Sequence, residues 1–119
     1  MKLVLAIIRR ERLEAVQESL RDVLDEADNY RLTVDTVEGH GAQRGEPEFF
    51  RGQPILPQLV QKTRIMIAVN DPYVERAVQA IVDGARTDGG GEVGDGKIFV
   101  IPLDDVVRIR TGERGSGAI

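Results

Sequence analysis

The chain has 119 residues, with 16 Lys and Arg against 20 Asp and Glu, no cysteine and no tryptophan. This length fits one domain over residues 1–119, and the lack of cysteine excludes a disulfide framework, a thiolate zinc site, an iron–sulfur cluster and a cysteine nucleophile. The formal net charge of −4 argues against binding of nucleic acid by bulk phosphate neutralisation, because such domains carry a dense basic face.

The first two predicted elements are a buried strand and an amphipathic helix. Residues 3–8 form a continuous apolar run, which is typical of a strand in the middle of a sheet. Beyond Arg9 and Arg10, apolar residues recur at spacings of three and four, which predicts a helix that ends at the acidic stretch 25–29. Because the apolar run is too short to cross a bilayer and has no signal-peptide cleavage site, we expect a soluble, cytoplasmic protein.

A second strand is predicted over residues 31–38, where apolar and polar residues alternate. Residues 39–62 hold four glycines and three prolines with no sustained period, so we predict a long loop. Loops beyond about 12 to 15 residues are usually functional or disordered, and this loop is the first indication of where function lies. His40 stands at its start with no partner residue nearby in sequence, which favours a packing or backbone role over a ligand role.

The second half of the chain repeats the order of strand and helix. We predict a strand over 65–69, a helix that begins after the cap and proline at residues 70–72 and ends near 85, a glycine loop over 86–96, a strand over 97–101, and an extended piece over 106–111 before a glycine-rich tail. The order βαββαβ indicates an α+β, ferredoxin-like fold with an antiparallel sheet and two helices on one face.

The glycine loop is a candidate anion site. Residues 91–97 match the first seven positions of the phosphate-binding P-loop pattern, but the match then fails because a strand follows Lys97 where that pattern needs Ser or Thr and a helix. Glycines still allow backbone N–H groups to crowd around an anion, and Lys97 adds a charge. The alternative is a flexible hairpin turn.

Two arginines follow in the predicted extended piece. Arg108 and Arg110 flank Ile109 at strand spacing, which predicts two guanidinium groups on one face, about 7 Å apart. Such a pair can grip a polyphosphate, although two solvated arginines on an edge strand are the alternative. The chain offers no activated nucleophile or placed general base, so we predict that it is not an enzyme.

Several segments together resemble one known family, the P-II nitrogen-regulatory signal proteins. Residues 94–100 and 108–113 are similar to the C-terminal signature of that family. Residues 39–45 are similar to the start of its long T-loop, and residues 51–52 to a pair further along it. The resemblance covers nearly the whole chain.

The resemblance implies a homotrimer that binds ATP or ADP in clefts between subunits, with 2-oxoglutarate joining magnesium-ATP. It implies a T-loop over about 41–60 that docks on an ammonium transporter or on an enzyme or regulator of nitrogen metabolism. It also implies that the glycine-rich segment 86–97 is the family's phosphate loop, its B-loop, and that a C-terminal strand and tail cover residues 106–119.

The resemblance also implies the roles of individual residues. Four residues match positions of the phosphate loop: Gly94, Asp95, Gly96 and Lys97. Two residues match the arginines that reach the phosphates from a neighbouring subunit: Arg108 and Arg110. Positions near the nucleotide are matched by Thr33 and Gly41. Gln43 matches the magnesium ligand, and its side-chain oxygen suits magnesium. Lys62 matches the lysine that pairs with a carboxylate of 2-oxoglutarate. A partner contact is matched by Arg51.

The chain also departs from the family pattern. Ala42 stands where an arginine commonly contacts phosphate, Ile55 and Gln53 stand at positions that other members modify, and Glu92 replaces a lysine beside about three extra residues in 88–92. About four extra residues also fall within 25–31. These departures keep open a divergent sensor of energy charge or of another small anion such as bicarbonate, with a partner outside nitrogen metabolism. A small phosphate-processing enzyme and a purely structural trimer are further alternatives.

Overall fold

The main element of the fold is a four-stranded antiparallel sheet that carries two helices. A computed structural model describes residues 1–24, 30–40, 48–55 and 59–119. Within these residues the strands are β1 (Lys2–Ile8), β2 (Leu32–Gly39), β3 (Glu48–Phe50), β4 (Gln53–Ile55), β5 (Val60–Val69) and β6 (Gly96–Pro102), and the α-helices are α1 (Leu13–Val23) and α2 (Val74–Ala85). A 3-10 turn precedes each helix, at Arg10–Arg12 and Asp71–Tyr73.

The strand order of the large sheet is β2-β5-β1-β6, and β3 pairs with β4 in a separate hairpin. Every pairing is antiparallel, including that of the central strand β1 with β5 and with β6. The predicted ferredoxin-like α+β fold is confirmed by this topology and by the two helices.

One face of the sheet forms the core together with the helices. Alternate residues of β1 and β5 are fully or nearly fully buried, because successive side chains of a strand point to opposite faces. They pack against the apolar stripes of both helices, which carry Val16 and Leu20 on α1 and Ala77 and Ile81 on α2. The two helices approach so closely that a Cβ on Gly84 would lie 2.7 Å from the Val16 Cα.

The opposite face of the sheet, which we call the open face, is apolar along β1 and β6. The register places Leu5 between Met66 and Phe99, and Leu3 between Ala68 and Ile101. Phe99 and Ile101 are 46% and 42% exposed. Towards the β2 edge the face becomes charged, since Arg64 donates to both carboxylate oxygens of Asp35 at 2.9 and 2.5 Å. The open face is therefore an uncovered apolar patch with a charged margin.

Parts of the predicted long loop 39–62 are strands. The strand β5 begins at Val60, five residues before the predicted start, and β3 and β4 form a hairpin within the predicted loop. The early part of β5 was missed because Gln61, Lys62 and Arg64 are polar and break the apolar pattern on which the prediction rested.

The predicted extended piece over 106–111 is wrong. Val107 forms only an isolated bridge with Arg114, and residues 109–111 turn. The turn is closed by hydrogen bonds from the Gly112 N–H to the Arg108 carbonyl at 2.7 Å and from the Arg108 N–H to the Glu113 carbonyl at 2.9 Å. Gly112 has a φ of 72°, a left-handed conformation that glycine readily adopts, so the chain reverses direction where alternation predicted a strand.

Candidate functional site

The glycine loop, residues 86–95, connects the end of α2 to the start of β6. At its end, Gly96 has a φ of 109° and pairs with Ile8 of β1. A Cβ at this position would lie 1.7 Å from the Ile7 carbonyl oxygen, so only glycine allows the loop to enter the sheet here. The loop is also closed internally, because the Gly91 N–H donates to the Thr87 carbonyl at 2.9 Å.

The carboxylate of Asp95 holds the two ends of the glycine loop together. Its Oδ2 accepts from the backbone N–H groups of Thr87 and Glu92, each at 3.0 Å, and its Oδ1 accepts from the Thr87 hydroxyl and from Arg9 Nε, the latter at 3.0 Å. These hydrogen bonds, led by those from Thr87, hold the pKa of Asp95 well below its ordinary value. With both oxygens taken up by the loop, Asp95 acts as a positioning residue.

Two cationic side chains, those of Arg9 and Lys62, contact the backbone of the glycine loop. Arg9 follows β1 directly, and its Nη2 donates to the Val93 carbonyl at 2.9 Å and lies 3.7 Å from Glu92 Oε2. Lys62 of β5 donates from Nζ to the Gly94 carbonyl at 2.7 Å. The pKa of Lys62 is lowered, first by desolvation and then by the charge of Arg9. Desolvated cations bind anions more strongly than solvated ones, so this pair can hold a carboxylate.

Lys97 lies one residue after the loop, on the open face opposite Ile7 of β1. Its side chain is exposed and has no hydrogen bond or ion pair within the part of the chain that the structure describes. A largely apolar groove of about 350 Å³ adjoins it, between the second half of α2 and the starting end of β6. The Lys97 ammonium is therefore available to an anion from outside the chain.

The C-terminal turn carries the two predicted arginines. Arg108 donates to Glu113 Oε2 at 2.9 Å and to the Gly117 carbonyl at 3.2 Å. Arg110 is exposed and has no such partner among the described residues. Between them, Ile109 is 100% exposed. Asp105 anchors the base of the turn through an ion pair with Arg114 at 3.0 Å and a hydrogen bond from the Gly115 N–H at 3.1 Å.

The arginine turn and the glycine loop lie at opposite ends of the sheet. The tail is attached where β1 begins, by bonds from Asn70 Nδ2 to the Ser116 carbonyl and from the Leu103 N–H to the Met1 carbonyl, whereas the glycine loop lies where β1 ends. The five residue-to-residue steps from Lys97 to Pro102 span about 17 Å of strand. The two guanidinium groups do not share a strand face, and they do not converge with Lys97 within one chain.

The remaining predicted site residues fall on β2 and beyond it. Thr33 is exposed on β2 opposite Met66, on the open face, and His40 is exposed just after the strand. Gly41, Ala42 and Gln43, the last of which is the predicted magnesium ligand, lie outside the described residues. Within the described ranges no group of three or more His, Cys, Asp or Glu side chains is placed to hold a metal ion.

Arg51 occupies the tip of the β3–β4 hairpin. Phe50 pairs with Gln53, so Arg51 and Gly52 form a two-residue loop, and their φ angles are 53° and 77°. Positive φ at both central positions is the pattern of a type I′ hairpin turn, which favours Asn and Gly. An arginine there is conformationally costly, and such positions are concentrated at functional sites.

Comparison with known proteins decides the family. A sequence model of the family described as nitrogen regulatory protein P-II matches residues 1–113. The chain belongs to the P-II family. It is 47% identical to nitrogen regulatory protein GlnK1 of Methanosarcina mazei and 45% identical to nitrogen regulatory protein P-II 2 of Methanothermobacter thermautotrophicus, in both cases over the whole of this chain and 97% of the relative.

A bacterial relative, nitrogen regulatory protein P-II of Azospirillum brasilense, is 42% identical over the full length of both chains. P-II proteins are signal-transduction regulators of nitrogen metabolism, and this chain is such a regulator. No helix in the described residues is long and apolar enough to span a membrane.

Sequence reasoning missed two residues that shape the site, Arg9 and Thr87. Arg9 was noted only as the residue that ends the first strand, yet an arginine directly after a buried strand is held close to whatever loop lies above that strand end. Thr87 carries no signal of its own, because its role depends on a carboxylate eight residues further along the chain.

We predict that Asp95→Asn destabilises the folded protein by about 1–3 kcal/mol, because asparagine has one acceptor oxygen in place of two. If that oxygen accepts from the Thr87 and Glu92 N–H groups, the side-chain NH2 group faces the Arg9 Nε–H donor. Urea unfolding at one protein concentration measures the change. Because folding keeps Asp95 ionised to lower pH, its contribution is present above about pH 4 and is lost as the pH falls further. Asp88→Asn, an equal charge change in the same loop, is the control, and equal stability of the two variants would contradict the assignment.

Proposed function

We propose that this P-II protein is a homotrimeric sensor that binds ATP or ADP in clefts between subunits and controls a partner through its long loop. The observation that carries the proposal is the distance between the two groups of anion-binding residues. Lys97 lies near the start of β6, about 17 Å of strand before Pro102, and the arginine turn follows the other end of that strand; each presents cationic groups to the outside. A second copy of the chain can bring one group to the other.

The open face supports association of subunits. It presents apolar side chains of β1, β5 and β6, among them the half-exposed Phe99 and Ile101. Apolar patches of this kind mark interaction surfaces, and closed cyclic symmetry is the usual arrangement of homo-oligomers. Burial of this face in a trimer would bring the edge strands of neighbouring subunits close together. The fully exposed Ile109 would then pack on a neighbour and fix Arg108 and Arg110 beside its glycine loop.

The chemistry of the cleft suits a nucleotide polyphosphate. Lys97 supplies a point charge, the glycine loop supplies backbone N–H groups, and the arginines of the neighbour supply forked donors that match phosphate oxygens. Thr33 and Gly41 stay assigned to the surroundings of the nucleotide, and Asp95 supports the loop from behind. The Thr87 hydroxyl, which donates to Asp95, is taken up in closing the loop, and the proposal is binding without turnover.

Effector binding is proposed at Lys62. Its desolvated ammonium, next to Arg9, suits one carboxylate of 2-oxoglutarate. Gln43 would hold magnesium together with ATP and the other end of the effector, since magnesium prefers oxygen ligands. The Gly94 carbonyl now accepts from Lys62, so an effector that binds Lys62 would change the position of the glycine loop. This contact links the anion site to the loop conformation.

The regulatory output is proposed to pass through the β3–β4 hairpin. Arg51 at its tip is an exposed cation on a narrow projection, a shape that fits a cation-accepting pore or an acidic cleft. The partner is then an ammonium transporter or an enzyme or regulator of nitrogen metabolism, reached from the cytoplasm, where nucleotides are abundant. Gln53 and Ile55 carry no hydroxyl group that could be modified covalently, so ligand binding is proposed as the means of control.

A second candidate is a sensor of nucleotide alone, or of a smaller anion such as bicarbonate. Glu92 favours it, because its carboxylate lies 3.7 Å from Arg9 and repels a dicarboxylate that approaches the same cation. The two candidates differ in whether 2-oxoglutarate binds together with magnesium-ATP.

We predict that calorimetry detects binding of ATP and ADP to the wild-type protein, and that Lys97→Gln weakens it by about ten- to a hundredfold, the effect of removing a hydrogen bond to a charged group. Arg21→Gln, which removes one positive charge from an exposed position at the end of α1, serves as the control. Failure of ATP, ADP and AMP to bind at millimolar concentration would contradict the proposal.

We predict that Arg51→Asn abolishes capture of the partner in pull-downs from the native extract, performed with ATP and with ADP. Asparagine fits the turn better than arginine does, so the turn is kept while the cation is lost. Arg51→Lys should keep part of the capture, and Arg76→Asn, on α2, should keep all of it. Undiminished capture by Arg51→Asn would show that the hairpin tip does not make the contact.

A further inference from the structure

Glu92 is the residue of the glycine loop that has no role in the leading proposal. Its carboxylate Oε2 lies 3.7 Å from Arg9 Nη2, and its side chain is 64% exposed whereas that of Arg9 is 15% exposed. The distance is longer than a hydrogen bond, so the carboxylate is held by charge more than by a directed bond. A charged group held in this way can be displaced.

The three consecutive residues 92–94 all face the cations below the loop. The Val93 carbonyl accepts from Arg9 at 2.9 Å and the Gly94 carbonyl from Lys62 at 2.7 Å, while Glu92 adds a full negative charge beside Arg9. Arg9 and Lys62 are close enough for the charge of one to lower the pKa of the other. The loop therefore places its own carboxylate beside Arg9, where a carboxylate ligand of that cation would bind.

The other acidic residues of the glycine loop have different roles, and Glu11, whose charge also acts on the pKa of Lys62, belongs to the turn before α1. Asp95 is the closer partner of Arg9, but both of its oxygens are engaged in holding the loop. Asp88 is exposed and forms no ion pair with any residue that the structure describes. Among the acidic residues of this loop, Glu92 alone combines proximity to the cations with an exposed side chain that can move away.

We propose that Glu92 is a specificity-determining residue, an internal carboxylate that competes with a small dicarboxylate ligand for the Arg9–Lys62 pair. The inference rests on the proposed function, because it assumes that this pair receives the effector. Glu92 raises the concentration at which the effector binds, and it penalises a dianion more than a monoanion because Coulomb repulsion scales with ligand charge. Nucleotide phosphates, bound at Lys97 and at the arginines of the neighbour, are affected less.

The test compares Glu92→Gln with Asp88→Asn, two variants that each remove one negative charge from the same loop. Calorimetry measures the affinity for 2-oxoglutarate, and in parallel for the monocarboxylate pyruvate, in the presence of saturating magnesium-ATP. Glu92→Gln should tighten binding of 2-oxoglutarate by about two- to fivefold, the range of an exposed ion pair, and Asp88→Asn should leave it nearly unchanged. The gain should shrink as ionic strength rises, and it should be smaller for pyruvate.

Each other outcome overturns the inference in a recognisable way. Equal affinities of the wild type and Glu92→Gln would show that Glu92 does not compete, and equal tightening by both variants would show that only the net charge of the loop matters. If the wild type and Glu92→Gln both bind ATP but neither binds 2-oxoglutarate, the dicarboxylate is not a ligand of this site, whereas the nucleotide site is supported. Absence of ATP binding in all three proteins would contradict the proposed function itself.

Discussion

The length of β6 is the constraint on which the account of this protein depends. The strand runs for about 17 Å from Lys97, where the glycine loop enters the sheet, to Pro102, and the turn that carries Arg108 and Arg110 lies beyond that far end. A nucleotide polyphosphate cannot contact both within one chain. The uncovered apolar face of the same sheet gives a physical reason for a second copy to approach. The length of this one strand therefore explains why the proposed nucleotide site needs two subunits.

The glycine loop is held from behind, which leaves its outer side open to an anion. The carboxylate of Asp95 ties Thr87 to Glu92 and to Arg9, and the Gly94 carbonyl joins the loop to Lys62. Because Lys62 contacts the loop backbone and is also the proposed effector site, an effector that bound there would alter the loop proposed to surround the phosphates. Glu92 would compete with that effector, because it places a negative charge of the loop beside Arg9.

Much of the fold could be predicted from the sequence, because burial leaves a periodic pattern. The apolar run of β1 and the helical spacings of α1 and α2 follow directly from the two layers of the core. The beginning of β5 and the hairpin of β3 and β4 could not be found in this way, since Lys62 and Arg64 line a face that is not part of the core. The turn at residues 109–111 was missed because alternation alone cannot distinguish a strand from a hairpin closed by Gly112.

The sequence indicated which residue types form the site, but it did not show how far apart those residues lie in the fold. Glycine spacing and Lys97 indicated an anion site, but the separation of Lys97 from Arg108 and Arg110 is a property of sheet register, which adjacent sequence does not reveal. The loop-holding role of Asp95 depends on Arg9 and Thr87, which meet it only in the folded chain. Arg51 was noticed through a family resemblance, and its unusual φ of 53° is visible only in the structure.

The most direct test of the shared nucleotide site is to mix two defective chains. Co-expressed Lys97→Gln and Arg110→Gln subunits, purified as mixed trimers through two different tags, should regain ATP binding of wild-type affinity at one cleft per trimer, where an intact glycine loop meets an intact arginine turn. Each variant alone should bind weakly at all of its sites. Mixed trimers that bind ATP no better than the two parent variants would contradict a site built from two chains.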